Sequence, residues 1–114
     1  MLDKRVFERF ELKCSCHFVV EDSYQVLDAR IEDISLGGFR ISTFTSLSPG
    51  MRIKFSLETD PPIKGRAKVV WVRKDGEKYY AGLEIVELKE KFRKPFREII
   101  EELTLNNLPG SYFR

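Results

Sequence analysis

Six stretches of alternating apolar and polar residues follow one another at roughly ten-residue intervals, each closed by turn-forming residues, and no other feature constrains the fold as much. Period-two alternation is what a strand needs when one face is buried and the other is wet. In residues 11–20, Leu12, Cys14, Cys16, Phe18 and Val20 share a face, with Glu11, Lys13, Ser15, His17 and Val19 opposite. Glu21-Asp22-Ser23 turns the chain, and residues 25–34 make a second strand of mixed pattern. Gly37-Gly38 punctuates, and Phe39 and Ile41 share a face of a short third strand. Leu47-Ser48-Pro49-Gly50 is a turn, since proline presets one backbone angle and glycine tolerates positive ones. Met51, Ile53, Phe55 and Leu57 alternate as a fourth strand, which Asp60-Pro61-Pro62 ends. Residues 64–73 and 78–87, joined at Lys74-Asp75-Gly76-Glu77, read as a hairpin. Six such strands point to a small barrel or a sandwich.

The period then changes. Phe92, Phe96, Ile99, Ile100 and Leu103 form one stripe of an amphipathic helix, expected to cap an open end of the strand assembly. Pro95 either sits in the first turn of a helix starting near Lys94 or kinks a longer one. Residues 106–114, with Pro109-Gly110 and Tyr112-Phe113, carry no assignable period.

A chain of 114 residues is one domain's worth, and 42% hydrophobic content with nine phenylalanines supplies an aromatic-rich core. Twenty Lys and Arg against eighteen Asp and Glu leave a net charge of +2, too balanced for a protein that holds long nucleic acid by charge. Anion binding therefore has to come from a local cluster. No apolar run approaches the roughly 20 residues that cross a bilayer, and the first residues lack an apolar signal core. The expectation is a cytoplasmic chain without direct membrane insertion, a monomer or weak dimer. Cys14 and Cys16 read as two free thiols on one strand face, small apolar residues in a reducing compartment. With His17 they are the only Cys or His residues, so a zinc site lacks its ligand set. One histidine and no paired carboxylates in an apolar context give no enzyme signature, and neither metal nor organic cofactor is expected.

Two short patterns carry the functional reading. Arg5 and Arg9 form R-x-x-x-R in a leading arm, residues 1–10, and Asp33, Ser35 and Gly38 form D-x-S-x-x-G after the second strand. An arginine fork makes charge-assisted bonds to phosphate oxygens, and its flat face stacks on purine bases. A carboxylate at Asp33 accepts from the N–H groups of a purine edge. Ser35 can add a hydroxyl bond to base or phosphate, or hold a turn through its own backbone. Gly38, with Gly37, is expected to leave room and allow unusual backbone angles where a ligand meets the sheet. Together the patterns point to a receptor for a small anionic nucleotide.

With these motifs in this order, followed by the hairpin from Val69-Val70-Trp71 to Tyr80-Ala81-Gly82-Leu83 and the terminal helix, the chain resembles a PilZ domain, the bacterial receptor module for cyclic di-GMP. The resemblance implies a mostly all-β fold, a six-stranded antiparallel barrel with a C-terminal helix over residues 11–114. It implies cyclic di-GMP as a regulatory ligand held by Arg5, Arg9, Asp33, Ser35 and Gly38, with Gly37 and Lys4 beside them and Trp71 as a stacking wall. Lys4 stands where many members have another arginine, a neighbourhood linked in the family to whether one ligand or a stacked pair binds. The resemblance also implies an unknown protein effector, in motility, exopolysaccharide or attachment control. The alternative is a degenerate adaptor of the same fold that works by protein contact without nucleotide.

Overall fold

The computed structural model describes residues 8–108. Lys4, Arg5 and most of the leading arm lie outside that range, as do residues 109–114. Six strands, β1 (Phe10–Val20), β2 (Leu27–Ile34), β3 (Gly38–Thr43), β4 (Arg52–Leu57), β5 (Ile63–Asp75) and β6 (Lys78–Leu88), precede one helix, α1 (Glu90–Asn106). Every pairing is antiparallel, and the strands close into a barrel in the order β1-β2-β3-β6-β5-β4. Of the barrel and the sandwich that periodicity allowed, the chain forms the barrel, which leaves no sheet edge exposed.

The alternating residues fill it. Cys16, Phe18, Ile31, Ile34, Phe39, Ile41, Ile53, Leu57, Ile63 and Val69 are almost wholly buried. Phe39 and Phe55 meet edge to face at 4.9 Å between ring centroids, the geometry that ring quadrupoles favour. β2 starts at Leu27 rather than residue 25, because the Gln25 N–H donates to Ser23 Oγ at 3.2 Å and keeps the chain in its turn. The β5–β6 hairpin closes at Gly76, whose φ of 64° favours glycine.

The helix begins at Glu90, ahead of the start near Lys94, and Pro95 lies inside it. Its first turn is anchored without Pro95: Phe92 N–H donates to Lys89 O at 2.8 Å and Arg93 Nε–H to Leu88 O at 3.0 Å. Pro95 lies just past the first four N–H groups, which have no intrahelical partner in any helix, and removes one bond from the ladder. Phe96 and Ile100 are buried in the barrel core, and α1 lies against β1 and β5, which flank β4.

Both cysteines are free thiols. Burial pushes the Cys16 thiol up to about 12 and raises half-buried Cys14 as well. Since the thiolate is the nucleophile, iodoacetamide at pH 8 is expected to alkylate Cys14 well before Cys16 in the folded protein. Peptide mapping showing equal labelling rates would contradict this burial.

Candidate functional site

The β2–β3 connection sets the geometry. Ser35 N–H donates to Gly38 O at 2.8 Å and Ser35 Oγ–H to the same oxygen at 3.3 Å, closing a tight turn around Leu36 and Gly37. Ser35 is buried, so its hydroxyl serves the turn. Beyond the turn Ile34 faces Phe39 and Asp33 faces Arg40. The register then shifts between Ile31 and Asp33, making Glu32 the extra residue of a bulge. Two carboxylates, Glu32 and Asp33, stand side by side as a result, each matched by cations.

Asp33 gathers two guanidinium groups. Arg9 donates to its Oδ1 from Nε at 2.9 Å and from Nη2 at 2.7 Å, and Arg40 Nη2 lies 2.9 Å from Oδ2. The two sequence motifs thus meet in space, although 24 residues separate Arg9 from Asp33. Arg9 has five N–H donors and spends two on Asp33, so its half-exposed fork keeps donors for a ligand. Arg40 escaped the sequence reading. It was legible only as the cross-strand partner of Asp33, once the turn is centred on Leu36-Gly37.

Glu32 accepts from Lys13 Nζ and, at 2.7 Å, from Ser42 Oγ. These hydrogen bonds, Lys13 first, hold its carboxyl below the usual 4.5. Because the unfolded chain protonates this carboxyl first, its contribution to stability is complete above about pH 4.5 and is lost as pH falls through the lower folded value. Glu32→Gln is therefore expected to give a shallower fall of Tm between about pH 5 and 3 than the parent. Parallel Tm–pH curves would remove this role.

Arg9 stands at the rim of a groove of about 620 Å³, with Ser35, Gly37 and Gly38 on one side and Val70, Trp71, Gly82 and Glu84 on the other. The second wall also depends on a bulge. The β5–β6 register shifts between Val69 and Trp71, and Val70 and Trp71, consecutive residues, are both exposed. The Trp71 indole lies over Gly82: a Cβ on residue 82 would sit 2.0 Å from Trp71 Nε1. Trp71 and Gly82 both line this groove, and the motifs alone did not single out Gly82.

The role expected of Gly38 needs correction. A Cβ there would sit 1.9 Å from the backbone oxygen of Leu83. Its missing side chain lets β3 approach β6 rather than making room for a ligand. Neither Gly37 nor Gly38 has a positive φ, so unusual backbone angles are not needed at this turn. Among the described residues no group of three or more His, Cys, Asp or Glu could hold a metal ion, and no helix is long and apolar enough to cross a membrane.

Several solved structures share this architecture. The PilZ domain of YcgR from Escherichia coli, solved with c-di-GMP, aligns over 91% of this chain and 94% of its own at 18% identity, TM-score 0.72. The inhibitor of motility MotI from Bacillus subtilis aligns over 95% of this chain and 55% of its own at 18% identity, TM-score 0.76. MrkH of K. pneumonia in its apo state aligns over 93% and 53% at 21% identity, TM-score 0.72. The chain spans about half the length of the latter two. At such identities these likenesses establish the fold. No curated protein is a significant sequence match. The family profile described as PilZ domain matches residues 3–102, from before Arg5 to within the terminal helix, and the chain belongs to the PilZ domain family.

Proposed function

We propose that this chain is a receptor for cyclic di-GMP that passes the presence of the nucleotide to a protein partner. One observation carries the reading: Arg9 of the first motif is hydrogen-bonded to Asp33 of the second at the rim of a groove walled by Trp71. The groove's chemistry matches a ligand with two phosphodiester charges and two guanines. Arg9 offers unspent N–H donors to phosphate or to guanine O6 and N7. Asp33 does not itself line the groove; held between two guanidinium groups just behind the rim, it orients Arg9 and keeps acceptor capacity for a guanine N–H. Trp71 offers an aromatic face for stacking. YcgR, which shares the fold, was solved with c-di-GMP, and this supports the assignment.

In this reading Arg5 joins Arg9, which Asp33 already holds in place, in contacting the bound nucleotide. The bound nucleotide changes the shape and charge of the surface that the partner reads. The processes that fit are control of motility, exopolysaccharide production or attachment. Calorimetric titration with cyclic di-GMP, GTP and cyclic di-AMP tests it. Heat with cyclic di-GMP alone is the expected result, and equal heats for all three nucleotides would remove the specificity.

A further inference from the structure

The outer face of β4 and β5 carries a basic band that plays no part in the groove. Arg52 faces Lys68 and Lys54 faces Arg66 across the two strands, with Lys64 one step further along β5. All five side chains are exposed. Like charges placed directly opposite each other destabilise an antiparallel pair, so packing does not account for these two pairs. Bordering carboxylates relieve them only in part. Among the described residues Arg66 pairs with Glu87 at 3.3 Å, and Arg52, Lys54, Lys64 and Lys68 have no ion-pair partner, although Glu84 stands next to Lys68 on β6. A second groove of about 210 Å³ opens within the band, lined by Arg52, Lys54 and Arg66, with Ile53 and Ala67 beneath, half-exposed Val86 at its side and one carboxylate, Glu21, at its edge, so cations outnumber acids three to one there.

From this charge pattern we infer that the β4–β5 face docks an extended acidic segment of a protein partner. The inference rests on the receptor reading only in supplying the surface through which that receptor meets its effector. Cations at alternate positions along a strand repeat every ~6.7 Å, and glutamates at alternate positions of an extended peptide repeat at the same interval. An acidic strand laid along β4 and β5 therefore meets the facing cations in register and relieves their mutual repulsion. Two rival anions fit less well. The small net charge of +2 offers little to a long nucleic acid, and within the band itself Val86 is the exposed apolar side chain, Val70 and Trp71 lying beyond Lys68 at the wall of the other groove, which leaves little to enter a lipid surface.

The test uses the whole chain, a synthetic peptide of alternating glutamate and threonine, an oligothymidylate and phosphatidylserine vesicles, with binding followed by fluorescence at low and moderate salt. The variant is Arg52→Glu/Lys54→Glu, which sets acidic residues opposite Lys68 and Arg66. The expected result is salt-sensitive peptide binding that falls by about tenfold or more in the variant, while its Tm stays equal or rises and its cyclic di-GMP titration is unchanged. The inference is overturned if the parent does not bind the peptide, if the variant binds it equally well, or if the variant has a lower Tm. Tighter binding of the oligothymidylate or the vesicles than of the peptide would also overturn it. If the peptide fails while cyclic di-GMP still binds, this surface alone is wrong. If cyclic di-GMP fails while the peptide binds, the receptor reading falls and the surface stands.

Discussion

Replacing Arg9 with alanine is expected to weaken cyclic di-GMP binding by roughly tenfold to over a hundredfold while leaving stability almost unchanged. The two effects separate because the same guanidinium has two very different environments. In the free protein the Arg9 side chain is half-exposed, although Asp33 is only 15% exposed, and screening on the guanidinium side keeps the pair's contribution near the upper end of the about 0–1 kcal/mol of exposed pairs. Asp33 is not stranded by the change, because Arg40 still holds its other oxygen. Against the ligand, a charge-assisted hydrogen bond contributes about 1.5–3 kcal/mol net, and 1.4 kcal/mol is about a factor of ten. Arg9→Lys keeps the charge but loses the planar fork, so it should fall between parent and alanine variant. The double variant Arg5→Ala/Arg9→Ala should show no binding at low micromolar nucleotide. Calorimetry beside thermal melts checks the set. An Arg9→Ala protein that binds like the parent would take the first motif out of the site.

Gly38→Ala is expected to have the opposite signature, a loss of fold. The added Cβ would lie 1.9 Å from Leu83 O and 3.0 Å from Leu83 C, both backbone atoms in the facing strand. No side-chain rotation relieves such a contact, so β3 and β6 must move apart where Gly38 faces Glu84 and Phe39 faces Leu83. Overpacking of this kind costs about 1–3 kcal/mol and occasionally more. At the upper end Tm drops by about 10–20 °C for a domain of this size. Gly82→Ala meets a side chain instead, and Trp71, which is half-exposed, can swing away. Its expected effect is smaller in Tm and larger in Trp71 fluorescence. A Gly38→Ala variant melting within about 2 °C of the parent would show that the strands are not this close.

The barrel was legible because its period-two segments each have a buried face, and the inward residues Cys16, Phe18, Ile53, Phe55 and Leu57 are those that alternation picks out. The meeting of Arg9 with Asp33 followed from the motifs. What stayed hidden depended on register. The bulge at Glu32 decides that Arg40 reaches Asp33, and no local pattern marks it. The bulge at Val70 likewise exposes two consecutive residues where alternation would bury one. Gly38 is recognisable as a motif glycine, but the approach that requires it comes from Leu83, far along the chain. Lys64, Arg66 and Lys68 alternate visibly in the sequence, yet the like charges facing them on β4 emerge only when the two strands pair. Pro95 biased the reading of the helix start, since the bonds that anchor Glu90–Phe92 come from backbone and Arg93 rather than from a capping side chain.

Nucleotide binding in this groove is tested most simply by titrating isotope-labelled protein with cyclic di-GMP and following amide and indole resonances. In the proposed receptor one groove, walled by Trp71 and rimmed by Arg9 and the Ser35–Gly38 turn, receives the nucleotide. The expected result is large shifts of the Trp71 indole N–H and of the Gly37, Gly38 and Gly82 amides, with the hairpin at Gly76 unmoved. Saturating binding that shifts Gly76 and leaves Trp71 and the Ser35–Gly38 turn in place would contradict the account.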